Sequence, residues 1–452
     1  MDKAVQHIHF VGIGGIGVSA LALLLKQQGK HVSGTDRTDS TLLNSLREAG
    51  ISVTIGHDAS AVVGADLLVY SSAIKEDNPE RQYAFENNIT QIRRAEMLGE
   101  IASAYKHSLA IAGTHGKTTT TGMCGQILIE AGIDPSMFVG GILPNMNSNL
   151  RLGQLDTIVL EADEYDRSFL ALSPDRILVT TLEADHLDIY ADLQDVRDTF
   201  FEFISKLDDD GILVMAGDEK ELQLLAERSK LPVTFYGFSE GCHYRAASLR
   251  ADQFSSQFSI ARNGKLLGEI DLHMPGAHNV LNALGAAALC SEMGVDFSSI
   301  KLGLEAFRGV ERRFEKKGTF NGVLFIDDYA HHPSEVSATL NAARKGWPGS
   351  RVVAVFQPHL YSRTRDFAED FAKAMELADI SIVTDIYPAR EKPIPGVSSE
   401  LIANAGSNIL LIPTMDEVHD YLVNEIHEGD LIITLGAGDI WQLHDLFLGG
   451  AV

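Results

Sequence analysis

The sequence predicts an α/β protein made of three successive strand–helix units. Three observations predict it. Short apolar runs alternate with helical patterns over the first ~105 residues, the signature of βαβ units and a parallel sheet. Glycine-rich turns stand between a strand and a helix at residues 12–17 and again at 113–119. A further series of apolar runs at helical separations begins after Phe314, and a length of 452 residues accommodates about three domains.

The elements follow in order. His7–Ile13 reads as a strand, Gly17–Gln28 as a helix, His31–Asp36 as the next strand and Asp66–Ser72 as a later one. A second unit opens with the strand Ser108–Gly113 and continues through strands near Thr157–Ala162, Arg176–Thr181 and Gly211–Met215. Val233–Asp271 differs, because short alternating segments such as Gln257–Arg262 and Leu266–Leu272 predict antiparallel strands. Asn279–Met293 is helical, and the short charged stretch Gly309–Phe314 reads as a hinge. The third series comprises Val323–Asp327, Arg351–Phe356, Ile380–Asp385, Ile409–Ile412 and Asp430–Leu435.

Composition excludes several classes. Apolar residues at 45% and charged residues at 22% are those of an ordinary globular chain, so global disorder is excluded. Against 62 Asp and Glu stand 37 Lys and Arg, a net charge of −25 that argues against nucleic-acid binding. Cys124, Cys242 and Cys290 fit neither a disulfide framework nor a zinc spacing. Near the start, the longest strongly apolar stretch is Ala20–Leu25, far below the ~20 residues that span a bilayer. Asp2 and Lys3 lead into a glycine motif instead of a signal peptide, so a cytoplasmic location is expected.

Residues 12–17 read Gly-Ile-Gly-Gly-Ile-Gly, with Gly14, Gly15, Ile16 and Gly17 opening the helix. Such glycines permit a tight turn, and the helix start offers free N–H groups to a diphosphate. Asp36 ends the next strand, where a carboxylate can accept from a ribose hydroxyl. The motif reports a diphosphate-bearing nucleotide without saying which, so an NAD-dependent dehydrogenase stays open on this ground, as does a packing role for the glycines. The second loop, Gly113-Thr114-His115-Gly116-Lys117-Thr118-Thr119, is more specific. Its backbone amides can cradle phosphates, Lys117 can neutralise the β and γ oxygens, and Thr118 can reach Mg²⁺. It departs from the general phosphate-loop pattern, since Ala112 stands four residues before Gly116.

Glu161, Asp163, Glu164 and Asp166 follow one strand, and Asp185-His186 follows another. Ligands collect at the C-terminal ends of parallel strands, so both groups are placed to converge on phosphates. Glu161 suits Mg²⁺, His186 is a less typical ligand for a hard cation, and Asp163 reads equally well as part of a solvated loop. A hydride-transfer enzyme has no use for a phosphate loop and metal carboxylates together. Two nucleotide sites point instead to ATP energising a reaction on a nucleotide-linked substrate.

The runs GIGGIG, GTHGKTTTT, EADEYDRSF, ADHLD, HNVLNALGA, RRFE, DDYAHHPSE and FQPHLYSRTR occur in order along nearly the whole chain. As a set they resemble the Mur ligase family, and within it the alanine-adding branch. The resemblance implies an N-terminal Rossmann-like domain binding the UDP moiety (1–106) and a central P-loop ATPase domain (107–312). It also implies a C-terminal Rossmann-like domain (313–452) that binds the amino acid and completes the ATP site. The activity implied is ATP- and Mg²⁺-dependent joining of L-alanine to the lactyl carboxylate of UDP-N-acetylmuramate through an acyl phosphate, a step of peptidoglycan precursor synthesis.

Carried over by motif, the resemblance gives the UDP diphosphate to Gly14, Gly15, Ile16 and Gly17, and the uridine to Asp36, Ser71 and Ser72. Asn149 of the SNLRLG segment would touch the muramyl substrate. Lys117 and Thr118 would hold ATP and Mg²⁺, with Glu161 and His186 as further metal ligands. His278, Asn279 and Asn282 would face adenine; without the resemblance, the asparagines read as a helix cap. Arg313 and Asp328 would contact phosphate and ribose. Tyr329, His331, His332, His359, Tyr361 and Arg363 would face the muramyl carboxylate and the alanine. The adjacent His331 and His332 cannot chelate one ion from a regular strand, and each reads as a separate contact or one as structural. Arg363 is an anion clamp or a surface arginine.

Two departures stand out. Most Mur ligases carry a lysine, carbamylated in use, fifteen residues after the metal histidine; here that position is Phe201. Residue 360 is Leu, where some relatives place a basic residue. A ligase adding a whole tripeptide to the same UDP-sugar is the nearest alternative, and no fused D-alanine ligase is expected after Val452.

Overall fold

A computed structural model of the chain describes residues 5–153, 156–187 and 189–449. Asp2, Lys3, Asp188 (the last residue of the ADHLD run) and Val452 lie outside these. The described chain divides into two compact units. The first comprises Met1–Leu182, Val196–Phe235 and Gly285–Gly303, and the second Glu183–Asp195, Tyr236–Leu284 and Leu304–Val452.

The first unit contains two sheets. One is formed by β1 (His7–Val11), β2 (His31–Asp36), β3 (Ser52–Ile55), β4 (Leu67–Tyr70) and β5 (Thr90–Arg93), all parallel, in the order β3-β2-β1-β4-β5. The order reverses direction between β1 and β4, and a doubly wound sheet binds ligands at the C-terminal edge of such a switch point. Gly12–Gly17 follow β1, Asp36 ends β2, Ser71 and Ser72 follow β4, Arg93 ends β5 and Arg94 follows it.

The other sheet is built from β6 (His107–Ala112), β7 (Ser136–Leu143), β8 (Ser148–Arg151), β9 (Thr157–Glu161), β10 (Arg176–Val179) and β11 (Ile212–Ala216). Its order is β11-β10-β6-β9-β7-β8. The central strand β6 (HSLAIA) is buried along nearly its whole length, as a strand covered on both faces must be. Helix Lys117–Glu130 starts directly after it.

The chain enters the second unit along β12 (Thr234–Gly237) and forms a meander of β13 (Tyr244–Asp252), β14 (Ser255–Arg262) and β15 (Lys265–Leu272), antiparallel as their alternation predicts. A last sheet consists of β16 (Glu315–Phe320), β17 (Val323–Asp328), β18 (Val352–Phe356), β19 (Ile380–Val383), β20 (Ile409–Leu411) and β21 (Leu431–Leu435). Its order is β16-β17-β21-β18-β19-β20, parallel except for the β16 edge.

The period of two along β18 shows how this sheet is held. Val352, Ala354 and Phe356 pack into one apolar cluster with Phe371 and Met375, while Val353 and Val355 face the opposite cluster with Phe325 and Ile432. A fully buried Phe such as Phe356 or Phe325 contributes about 2–3 kcal/mol of transfer free energy. Both faces are apolar, so both must carry helices.

The strands read from the sequence fall within a residue or two of those observed. β16 (EKKGTF) carries too little apolar alternation to be legible, since as an antiparallel edge strand it buries little. The stretch read as a hinge is pinned in the structure. Arg312 donates to Asp327 (2.9 Å) and to the carbonyls of Gly436 (2.8 Å) and Gly438 (3.0 Å), and the Phe314 amide donates to Asp328 (3.0 Å).

Candidate active site

The first glycine loop is shaped from below. The amides of Gly12 and Ile13 donate to the Thr35 carbonyl (2.8 and 2.9 Å), and the Gly14 amide donates to Asp36 Oδ2 (2.8 Å). A Cβ on Gly14 would lie 2.8 Å from that same oxygen, so the carboxylate beneath the loop is what requires glycine there. Asp36 therefore orders the loop with one oxygen and has lone pairs left for a ligand. Helix Ile16–Gln27 begins on Gly15 with no side-chain cap, which leaves its first amides for an anion. Asn149 Nδ2 donates to the Ile16 carbonyl (3.0 Å) and ties β8 to the loop. Ser71 turns its hydroxyl to the Ala73 amide (3.4 Å), and Ser72 lines the cavity beside it.

The second loop is braced against the end of β10. The Thr114 amide donates to the Thr181 carbonyl (3.0 Å), and the His115 amide to the Thr181 hydroxyl (2.9 Å). Gly113 (φ +132°) and Gly116 (φ +81°) hold backbone angles that L side chains rarely adopt, and a Cβ on Gly113 would meet Thr180 Oγ1 at 2.1 Å. Lys117 opens the helix, and its Nζ donates to the Gly113 carbonyl (2.7 Å), the Thr114 carbonyl (3.2 Å) and Glu164 (2.7 Å). Burial acts to lower its pKa, but the carboxylates of Glu164, Asp163 and Glu161 outweigh it and hold the ammonium above its ordinary range. Thr118 and Thr119 are buried behind it.

Glu161 ends β9 and accepts from the Gly140 amide (2.7 Å) and from the Thr118 hydroxyl. Burial pushes its pKa up, against the opposing pull of Lys117. A Cβ on Gly140 would lie 2.5 Å from the Glu161 carboxylate, so Gly140 leaves the space this side chain occupies. A hydroxyl and a buried carboxylate, both oxygen donors, are the chemistry Mg²⁺ favours. Next in the chain, Asp166 and Arg167 both take left-handed backbone angles (φ +53° and +55°), which costs of order 1–2 kcal/mol per residue and is typical of functional loops.

The second unit gathers the remaining candidates in two clusters. In one, His278, Arg313 and Asp328 share the field of Glu335. Burial lowers His278 to about 4 and raises Asp328 to about 6. The Asp328 carboxylate accepts from the amides of Phe314 (3.0 Å) and Ala330 (2.9 Å) and from the Thr339 hydroxyl (3.1 Å). Arg313 Nη1 stands 3.6 Å from Glu335. Asn279 and Asn282 do share a helix face. Asn282 Nδ2 donates to Asn279 Oδ1 (3.3 Å), and Asn279 Nδ2 to the Pro275 carbonyl (2.8 Å).

The other cluster holds Asp185, His186, His331, His359 and Arg363. Arg363 is 6% exposed and donates to Asp185 at 2.7 Å, so it is no surface arginine. Burial would raise Asp185, but Arg363 outweighs it and holds the carboxyl well below the carboxylate range. His186, at a left-handed φ of +54°, donates its amide to Asp185 (2.7 Å). Burial lowers His331 to about 3 and, with Arg363 adding to the effect, His359 to about 4. His331 sits against the Tyr329 carbonyl (2.9 Å) and 5.9 Å from the His359 ring, which stacks on Tyr387. His332 turns elsewhere, to the Ser334 hydroxyl (2.7 Å) and the Phe367 ring. Leu360 (φ +74°) forms the strained start of helix Tyr361–Met375.

Sequence reasoning passed over Arg94, which lies against Gly17, and Glu335, which organises the first of these clusters. An arginine pair directly after a strand was the available signal for Arg94. Glu335 carried none, since an acidic residue in the first turn of a helix is commonplace.

Comparison with known proteins agrees with this geometry. Family models match in three consecutive stretches: Mur ligase family, catalytic domain, over residues 7–106; Mur ligase middle domain over 111–290; and Mur ligase, glutamate ligase domain, over 312–438. A UDP-N-acetylmuramate–L-alanine ligase of Geobacter sp. (strain M21) is 46% identical over 453 residues, covering 99% of this chain and 98% of that protein. The crystal structure of UDP-N-acetylmuramate–alanine ligase MurC from Thermotoga maritima aligns with a TM-score of 0.82 at 29% identity, over 98% of both chains. A murein peptide ligase from Psychrobacter arcticus 273-4 aligns with a TM-score of 0.72 at 26% identity, over 99% of both. With three family domains in sequence and this identity along its length, the chain belongs to the Mur ligase family.

Proposed function

We propose that the chain is a UDP-N-acetylmuramate–L-alanine ligase acting in peptidoglycan precursor synthesis in the cytoplasm. A lactyl carboxylate oxygen of UDP-N-acetylmuramate attacks the γ-phosphorus of ATP. The bond from that phosphorus to the β–γ bridging oxygen breaks, ADP leaves and an acyl phosphate remains. The deprotonated amine of L-alanine then attacks the acyl carbon, and the tetrahedral intermediate collapses with loss of inorganic phosphate. Activation is needed because a free carboxylate is a poor electrophile.

Lys117 offsets charge on the transferred phosphoryl group, and the loop amides hold that group in line. Thr118 and Glu161 would hold Mg²⁺, with His186 proposed as a further ligand; when bound, the ion supplies charge neutralisation at the phosphates. His278, Asn279, Asn282, Arg313 and Asp328 are assigned to adenine, phosphate and ribose. Tyr329, His331, His332, His359, Tyr361 and Arg363 are assigned to the muramyl carboxylate and alanine. Burial keeps His331 and His359 neutral at pH 7, so they offer hydrogen bonds to an incoming amine without repelling it.

The observation that carries this reading is the 46% identity to an alanine-adding ligase across 99% of the chain, which takes in both glycine loops and both clusters of the second unit. The test is ADP release with UDP-N-acetylmuramate, L-alanine, ATP and Mg²⁺, omitting each in turn. Turnover is expected only with all four. Preference for a tripeptide over L-alanine would instead make the chain a murein peptide ligase.

A further inference from the structure

Helix Tyr361–Met375 carries Arg363 in its first turn, and a kink at Phe367 (φ −124°, ψ +18°) separates that turn from the body of the helix. The helix start is not capped from within either. Leu360 precedes it at φ +74° with no capping side chain. Such an angle is strained in a residue other than glycine and persists only where the surroundings impose it. The first amides of a helix also need acceptors from outside it.

Both needs are met by the segment that follows β19. The Tyr387 amide donates to the Pro358 carbonyl (2.8 Å) and the Leu360 amide to the Tyr387 carbonyl (3.0 Å), which pins Leu360 in its strained angles. Four residues on, Glu391 accepts from the Ser362 amide (2.9 Å) and from the Ser362 hydroxyl. A carboxylate at a helix start satisfies an orphan donor and matches the positive end of the helix dipole. A tight turn brings Glu391 round, its amide donating to the Pro388 carbonyl (2.8 Å) and Ala389 standing at φ +47°. The Tyr387 ring stacks on His359, with centroids 5.9 Å apart and 13° between planes. Gly438 backs that ring, since a Cβ there would stand 2.7 Å from it. One short segment therefore grips the chain on both sides of Leu360, between His359 and Arg363. Arg363 is 6% exposed and ends against Asp185 at 2.7 Å, so its aim depends on where the helix starts.

We propose that Glu391 is a positioning residue for the ligase reaction, fixing the helix start that aims Arg363 at its anion. The proposal rests on the reading that assigns His359 and Arg363 to the muramyl carboxylate and alanine. Glu391 touches no reacting atom and acts through Ser362, with the Tyr387 backbone holding the residue before the helix. Displacing a positioned group by about 1 Å can cost about 10²-fold in rate, so the grip matters to turnover more than to folding.

The test compares the full-length wild type with Glu391→Ala, Glu391→Gln and Ser362→Ala by steady-state kinetics and amide hydrogen exchange. In Glu391→Ala, kcat/KM for L-alanine is expected to fall about tenfold to hundredfold, while the KM for ATP stays within about threefold. Glu391→Gln, whose amide oxygen can still accept from Ser362, is expected to recover part of the loss. Ser362→Ala keeps the backbone donor and is expected to lose less than Glu391→Ala. Exchange in Glu391→Ala is expected to quicken over residues 360–366 and to stay unchanged beyond Phe367. Unchanged kcat/KM for L-alanine in folded Glu391→Ala overturns the proposal, as does unchanged exchange over residues 360–366. So does parallel loss toward ATP and L-alanine with no recovery in Glu391→Gln, which would make Glu391 a structural cap alone. Should Glu391→Ala not fold, wild-type kinetics in both Glu391→Gln and Ser362→Ala overturn it. Failure of the wild type to join L-alanine to UDP-N-acetylmuramate would overturn the ligase reading instead, and the exchange measurement would still decide whether Glu391 holds the helix start.

Discussion

The ammonium of Lys117 is where the chemistry of single residues is most exposed to test. It lies among three carboxylates and accepting carbonyls, a site built to keep one positive charge in a dry place. Lys117→Met is expected to lower kcat for ADP release by ~10²- to 10³-fold or more, with circular dichroism confirming a folded protein. Glu161 is better probed through its neighbour. Gly140→Ala puts a methyl group 2.5 Å from the Glu161 carboxylate and must displace it. An activity loss of at least ~10-fold in Gly140→Ala, with Mg²⁺ dependence shifted to higher concentration, is the expected result. Wild-type kinetics in that variant would remove Glu161 from the metal site. Phe201 is likewise checkable. Its ring lies under the Arg228 guanidinium, 4.0 Å away, as an aromatic platform and no carbamate. Activity should therefore be indifferent to removal of bicarbonate.

Elements are positioned here by buried polar groups as much as by apolar packing. In the first sheet, Glu80, fully buried on helix Pro79–Glu86, accepts from His9 on β1 (2.8 Å), His57 (2.7 Å) and Thr35 on β2 (2.8 Å). The Thr35 carbonyl in turn carries the amides of Gly12 and Ile13, so a helix on one face of the sheet fixes the first glycine loop at its edge. Glu80→Ala removes the acceptor these three side chains share and leaves the His9 Nε2 side of the cluster buried without it, while Thr35 Oγ1 and His57 Nδ1 still face each other at 3.1 Å. A loss of about 1–3 kcal/mol in denaturant unfolding is expected, the range for leaving a buried hydrogen-bonding group unsatisfied. In the last sheet, Asp328 couples a strand end to pH. Its ordinary pKa of 3.8 rises to about 6 in the folded chain, chiefly through burial. The folded state therefore keeps a proton that the unfolded state has lost, and this contribution falls away as pH rises from 3.8 to about 6. The span corresponds to roughly 3 kcal/mol. Asp328→Asn is expected to flatten the melting temperature over that window, and an unchanged pH profile would show the carboxyl ionised throughout.

Across the whole molecule, a net charge of −25 is compatible with the two polyanion sites proposed above, because the recognition proposed there uses local devices: helix starts, loop amides, Lys117 and arginines. The sequence by itself determined the α/β class, most of the parallel strands, though not β3, β5 or β7, and both glycine loops. Those features are local, since a buried strand must be apolar, and a turn with left-handed angles or close backbone approach must be glycine. Even the role of residues such as Arg363 was legible only as a pattern. Tertiary structure decided what each motif touches. It set Asp36 under Gly14, placed Glu161 against Gly140 and Thr118, and gave Arg363 the buried carboxylate of Asp185. It also brought Arg94 to Gly17, two residues 77 positions apart. No local pattern encodes such a pairing, because it depends on the strand order β3-β2-β1-β4-β5, which carries the end of β5 to the edge where β1 delivers its glycines.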